Sequence, residues 1–294
     1  MGSRSLTVYS PAKINLNLYV MGVRPDGYHD LHTLFQRISL SDRMVFRKSN
    51  RKGISLHCDC PQVPLDSSNL ISKAYRLLAE ATGLRGGVEV FLDKRIPPGG
   101  GLGGGSGNAA FALIALNRLF GLGLQRHELI HLGKSLGADV AFFLLEVSRA
   151  IGKGKGDELS PLRGEKKLPL VLVFFPEGLS TKAVYGHCKA AGGFPRRGLT
   201  KVSADTIMIS DFLSAKDLSR ASGLLCNDLM RSAFQIKPAI GRVLFFLRKL
   251  SEASLMTGSG PTLFALTQKA EEANRIAEAI RNRFGLKTWV GWTS

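Results

Sequence analysis

The sequence predicts an α+β protein of two domains. Three observations predict it: a length of 294 residues, apolar alternation of strand type near both ends, and helical apolar spacing in several segments between them. The length is about twice that of a usual domain and leaves room for a sizeable core.

The first element is a strand over LTVYSPAKINLNLYV, where Leu16, Leu18 and Val20 alternate after Pro11. A polar turn, RPDGYHD, follows. In SSNLISKAYRLLAEATG, Leu70, Ile71, Ala74, Leu77 and Leu78 have helical spacing behind three candidate caps, Ser67, Ser68 and Asn69, and Gly83 ends the helix. GVEVFLDKRIPP alternates as a strand and leads into IPPGGGLGGGSGNAAFALIALNRLFG. The helix from Ala109 to Phe120 is apolar on every face, which predicts burial, and it stops at Gly121. Two further helices are expected near 127–136 and just after Asp139, and the glycine-rich IGKGKGDELSP closes this half. The second half opens on a buried strand, LPLVLVFF, and closes on an amphipathic helix, QKAEEANRIAEAIRNRF, and a strand, LKTWVGW. AAGGFPRRGLTK is the best flexible connection, and the domain boundary is placed near 160–168, giving domains 1–163 and 164–294.

Hydrophobic residues at 44% and charged residues at 21% exclude a disordered or fibrous chain. No apolar run approaches the roughly 18 residues of a membrane span, and no targeting signal is visible, so a cytoplasmic protein is expected. Four cysteines, Cys58, Cys60, Cys188 and Cys226, are read as reduced thiols. The net charge of +17 makes nucleic acid or an anionic small molecule the first partners to weigh. The basic residues are scattered, without interleaved aromatics or a stripe along one helix, which favours the small molecule over nucleic acid.

Pro97 to Gly107 contains seven glycines in eleven residues. Ordering glycine costs more entropy than ordering any other residue, so something must approach this backbone closely. Gly99, Gly101 and Gly104 formally satisfy G-x-G-x-x-G, but the dinucleotide pattern starts at a strand end, whereas Lys94 to Pro98 intervene here. The ATPase P-loop needs a glycine, a four-residue spacer and then Gly-Lys followed by Ser or Thr, and no stretch of the chain has that full arrangement. What remains is a run of backbone N–H groups ending in Ser106 and Asn108 at the start of a buried helix, a nest for a phosphate chain. A packing loop or linker is the alternative.

The glycine run with GGGSGNAA resembles the nucleotide-binding motif of the GHMP kinase superfamily. SPAKINLNLYVMGVRPDGYHDLHTLFQRISLSD, GADVAFFL and MTGSGPTLFAL narrow the resemblance to its branch acting on cytidine diphosphate-linked methylerythritol. The resemblance implies a ribosomal-S5-like N-terminal domain, a ferredoxin-like C-terminal domain, and transfer of the ATP γ-phosphate to the 2-hydroxyl of the methylerythritol, a step toward isoprenoid precursors. Mg²⁺ should accompany ATP, with no protein ligand assigned. Alternatives are a mevalonate-type or homoserine-type kinase, or a basic nucleic-acid-binding protein on the same fold.

Phosphoryl transfer asks for an aligned alcohol, a proton acceptor and positive charge. Asp139 is a lone carboxylate and Lys13 a lone cation, each among apolar neighbours and so expected to be buried; they match the family's catalytic pair. The resemblance further assigns ATP to Asn69 and Lys94, near which the family's adenine contacts fall, and to Pro98, Gly99, Gly100, Gly101, Leu102, Gly103, Gly104, Gly105, Ser106, Gly107 and Asn108. It assigns the cytidyl substrate to Asn15, Tyr28, His29, Thr181, Tyr185, Gly258, Ser259 and Gly260. Thr181 could alternatively be a helix cap. Gly107 stands where the family usually has a second serine, so a side chain is expected to fit there; Ala141 replaces a customary proline.

Overall fold

The computed structural model describes residues 5–162, 166–190, 193–195 and 197–294. The expected boundary at 163/164 and part of the 190–201 connection lie outside the described residues. Two compact units form: the first takes in the chain up to Ala12, Leu40–Pro98 and Gly103–Val147, and the second Lys13–Ser39, Gly99–Leu102 and Ser148–Ser294. Two long strands, β1 (Ser5–Val23) and β2 (His29–Ser49), contribute residues to both.

In the first unit, β4 (Gly87–Asp93) pairs antiparallel with the second half of β2, from Arg43↔Asp93 to Ser49↔Gly87, and parallel with β3 (Ile54–His57). Along this half of β2 the phase Leu40, Met44 and Phe46 is buried, as half-covered strands require. Helix α1 (Leu70–Thr82) starts at Asn69, whose side chain accepts from the Ile71 N–H, and ends at Gly83, left-handed with φ 71°. Helix α2 runs Gly104–Phe120 and stops at left-handed Gly121. It begins inside the glycine run, five residues earlier than its apolar pattern suggests (109 against 104). Helices α3 (Arg126–Lys134) and α4 (Ala138–Leu144) complete the unit. The expected all-round burial of α2 is largely met: Ala109, Ala110, Ala112, Leu113, Ala115 and Leu116 are all solvent-inaccessible.

In the second unit, the first half of β2 pairs with β5 (Arg149–Gly154), and β5 with β6 (Glu158–Leu162), all antiparallel. A separate antiparallel sheet has the order β10-β7-β9-β8, built from β7 (Pro169–Phe174), β8 (Ser254–Met256), β9 (Leu263–Leu266) and β10 (Lys287–Trp292). Helices α5 (Thr181–Ala190), α6 (Leu199–Ala215), α7 (Leu218–Ser222), α8 (Met230–Ile236), α9 (Pro238–Leu250) and α10 (Ala270–Phe284) lie between these strands in sequence. One apolar cluster joins Val171, Val173, Val243, Leu263, Ile276 and Ile280, so the alternate faces of β7 and the amphipathic stripe of α10 bury against each other. Buried Arg149 ties β5, β2 and α6 together, donating to Gln36 Oε1 (2.8 Å), Ser210 O and Ser210 Oγ (both 2.9 Å). Burial lowers its pKa to about 10.

Candidate active site

The expected site residues divide between the units. The second unit holds Lys13, Asn15, Tyr28, His29, Gly99 to Leu102, Thr181, Tyr185 and Gly258 to Gly260; the first holds Asn69, Lys94, Pro98, Gly103 to Asn108 and Asp139.

Lys13 is buried on β1, between Ala12 and Ile14, as its apolar neighbours imply. Its ammonium donates to Asn15 Oδ1 at 2.7 Å and lies 5.5 Å from the Phe35 ring centroid. Asn15 is itself locked: its Nδ2 donates to Thr33 Oγ1 (2.8 Å) and its backbone N–H to Thr257 Oγ1 (2.9 Å). The Asn15 side chain therefore orients the lysine. Thr33 and Thr257 are buried parts of this frame that sequence reasoning missed, although Thr257 stands inside the MTGSGP motif.

The backbone N–H of Lys13 donates to Leu102 O at 3.0 Å, fastening β1 to the glycine run. Gly99, Gly101 and Gly103 are left-handed, with φ of 69°, 74° and 69°. At Gly101 the close approach comes from the protein's own backbone, since a Cβ there would lie 2.5 Å from Thr257 O. The second glycine turn is left-handed at Gly258 and Gly260, and Asn227, another residue missed from sequence, pins it by donating to Met256 O and Gly258 O (2.7 and 2.8 Å). Ser259 Oγ and Thr181 Oγ1 lie 2.9 Å apart. Ser180 accepts from the Ala183 N–H (3.3 Å) as the α5 cap, so Thr181 is free of the capping role.

The aromatic residues form a group in the same unit. His29 and Tyr185 have ring centroids 4.6 Å apart, and Phe194 meets His29 edge-on at 5.3 Å. Tyr28 is 61% exposed, with the Lys155 ammonium 4.3 Å from its centroid and Lys155 held by Asp26 at 2.9 Å. Phe194 and Lys155 have no sequence signal beyond lying in glycine-rich connections.

In the first unit, α2 opens with Gly104, Gly105 and Ser106, whose N–H groups helix geometry leaves without intrahelical partners. The N–H of Gly107 is the first to bond inward, to Gly103 O at 2.8 Å. Ser10 Oγ and Asn108 Oδ1 are buried and have no hydrogen-bond partner among the described residues. Lys94 forms a buried ion pair with Asp42 at 2.7 Å. Both polar ends of the Asn69 side chain are engaged, Oδ1 by the Ile71 N–H and Nδ2 by Pro64 O (2.8 and 2.7 Å), so its amide is occupied in capping α1. Beside Lys94 runs a groove of about 470 Å³ whose walls include His57, Cys58, Cys60 and Phe91. Asp139 occupies the first turn of α4, where the helix dipole favours a carboxylate. It is only partly buried, contrary to the full burial its apolar neighbours suggest, because the N-terminal turn of α4 stays open while Val140 to Leu144 pack inward.

Two family models match the chain: GHMP kinases N terminal domain over residues 69–146 and GHMP kinases C terminal over residues 208–286. The chain belongs to the GHMP kinase family. It is 38% identical over 280 residues to 4-diphosphocytidyl-2-C-methyl-D-erythritol kinase of Pelotomaculum thermopropionicum, covering 94% of each chain. It is 40% identical to the protein of the same name in Ralstonia nicotianae, covering 97% of this chain and 93% of that one. The crystal structure of 4-(cytidine 5'-diphospho)-2C-methyl-D-erythritol kinase superposes with a TM-score of 0.78 at 36% identity, covering 98% of both chains. Homoserine kinase from Cytophaga hutchinsonii, at 19% identity and a TM-score of 0.76 over 99% of this chain and 95% of that one, shares the fold. The GHMP kinase fold expected from the sequence is thus met. This kinase family uses ATP on small molecules, and no helix among the described residues is long and apolar enough to cross a membrane.

Proposed function

We propose that this kinase transfers the ATP γ-phosphate to the 2-hydroxyl of 4-diphosphocytidyl-2-C-methyl-D-erythritol. The observation that carries the substrate is the likeness, at 36–40% identity over nearly the whole chain, to proteins of that name; homoserine and mevalonate kinases share only the fold, at 12–19% identity. The division of labour between segments 1–163 and 164–294 belongs to the same reading.

In this reading the open N–H groups of Gly104 to Ser106 and the left-handed glycines before them receive the phosphates. Lys13, oriented by Asn15, stabilises charge on the transferring group, and Asp139 accepts the hydroxyl proton. Tyr28, His29 and Tyr185 take the pyrimidine, whose π-face suits aromatic side chains and whose edge suits an imidazole. Thr181, Ser259 and the turn at Gly258 and Gly260 flank the same substrate. Among the described residues no group of three or more His, Cys, Asp or Glu could cage a metal. A Mg²⁺ ion here would be held chiefly by phosphate oxygens and water, which is how it binds nucleotides elsewhere; its chemistry would be to neutralise phosphate charge.

A coupled assay of ADP release with the cytidyl substrate, mevalonate and homoserine tests the reading. Turnover confined to the cytidyl substrate is expected, and a preference for either of the others refutes it.

A further inference from the structure

Asp42 sits on the core-facing phase of β2, between Leu40 and Met44, where an apolar side chain would be ordinary. It is solvent-inaccessible, and a buried carboxylate is costly unless its oxygens are satisfied. Oδ1 accepts from the backbone N–H groups of Arg95 (2.7 Å) and Ile96 (2.8 Å), and Oδ2 from the ammonium of Lys94 (2.7 Å). Lys94 donates a second proton to Ile96 O, so the whole 94–96 segment is folded around one carboxylate.

That segment presses on the first residue of α2. Gly104 has no positive φ, so its backbone does not call for glycine. Space does: a Cβ there would stand 2.9 Å from Ile96 Cγ2 and 3.0 Å from Lys94 Nζ. Lys94 thus holds a full positive charge against the helix end that already carries partial positive charge. Such an arrangement is unfavourable without an anion, because cations are favoured at the opposite end. Asp42 neutralises the lysine from the core side and still leaves one ammonium proton beyond the two donated bonds.

We infer that Asp42 is a positioning residue for nucleotide binding, holding the Lys94 ammonium at the first turn of α2 as a contact for the ATP phosphates and not for the adenine. The inference rests on the ATP-binding reading above.

Calorimetric titration with a non-hydrolysable ATP analogue, with adenosine and with the cytidyl substrate tests it on wild type, Asp42→Asn, Lys94→Met and the double variant. Asparagine can still accept from the two backbone N–H groups but opposes the ammonium with an amide donor. Each single variant should weaken the analogue at least tenfold, and the double variant no more than Lys94→Met, because Asp42 acts through the lysine. Adenosine and the cytidyl substrate should bind within twofold of wild type throughout. Gly104→Ala, which crowds Ile96 and the ammonium while leaving Asp42 intact, is read beside its own melting temperature and should show the same loss for the analogue over adenosine if Asp42→Asn fails to fold. Wild-type analogue affinity in Asp42→Asn, losses that multiply in the double variant, or an equal loss for adenosine overturns the inference. A wild-type protein that binds no analogue overturns the ATP reading itself, and this inference with it.

Discussion

The hydroxyl of Ser10 stands in the space that a side chain at residue 107 would need: a Cβ on Gly107 would lie 2.7 Å from Ser10 Oγ and 3.1 Å from Pro11 O. The expectation that a serine fits at 107 is therefore corrected. Gly107 is buried in α2, and the β1 backbone at Pro11 closes its remaining side.

Gly107→Ser is accordingly expected to cost about 1–3 kcal/mol through overpacking. Ser10→Ala removes the obstructing oxygen and also a buried hydroxyl with no partner among the described residues, so alone it should be nearly neutral. The double variant should recover most of the loss. Urea unfolding of the four proteins measures it; additive effects would show that Ser10 is not the obstruction.

Asp139→Asn should leave the ATP analogue and the cytidyl substrate bound while turnover falls by at least about 10²-fold, the usual loss of a general base. Lys13→Met should lower turnover as well, and stability too, because Asn15 Oδ1 loses its 2.7 Å donor in a buried frame. Single-turnover rates beside binding constants separate these effects. Near-normal turnover in Asp139→Asn removes it from the proton-accepting role.

His32 is solvent-inaccessible, its ring nitrogens 3.3 Å from Ser203 Oγ and 3.2 Å from Thr206 Oγ1, and burial lowers its pKa from 6.5 to about 4. The unfolded chain therefore binds the proton more readily, and stability falls as pH drops from 6.5 toward 4. Between pH 7 and pH 5 this one residue should remove about 2 kcal/mol. A His32→Asn variant should be less stable at pH 7 yet lose less on acidification; parallel pH profiles for the two proteins contradict the assignment.

How far the site is legible in the sequence follows from what each residue does. Lys13 stands out because burying a cation in an apolar strand is costly and calls for a function, and Asn69 and Gly83 because caps have local rules. The first half of β2 reads only as a turn and its sequel: Thr33, Leu34, Phe35 and Gln36 are all buried, so no alternation marks the strand. Asp42 breaks the apolar phase of the second half, and that break is itself a signal, but its partners at 94–96 are fixed by tertiary pairing. The apolar pattern puts the start of α2 too late because glycine disfavours helices, whereas contacts with Ile96 and Lys94 override that cost at Gly104. Resemblance assigns Asn15 to the substrate; its side chain is engaged in holding Lys13.

The glycine run can be sorted by what needs each glycine. Gly101 needs a left-handed backbone and would collide with Thr257 O, and Gly104 makes room for Ile96 and Lys94, so changes at either disturb the protein whether or not a ligand binds. Gly105 is different. It is exposed in the first turn of α2, has no positive φ, and a Cβ there would meet only Leu70 Cδ1 at an ordinary 3.7 Å. Nothing in the described structure requires glycine at that position, and alanine should even stabilise the helix, by up to about 1 kcal/mol. If phosphates lie against the N–H groups of this turn, a methyl group at 105 meets the ligand instead. Gly105→Ala should thus keep or raise the melting temperature while weakening the ATP analogue at least tenfold, about 1.4 kcal/mol, with cytidyl-substrate binding unchanged. Thermal unfolding paired with titration of both ligands reads the two effects separately. Wild-type affinity for the analogue in this variant would place the phosphates away from the first turn of α2 and leave the glycine run as a packing device for the protein's own backbone.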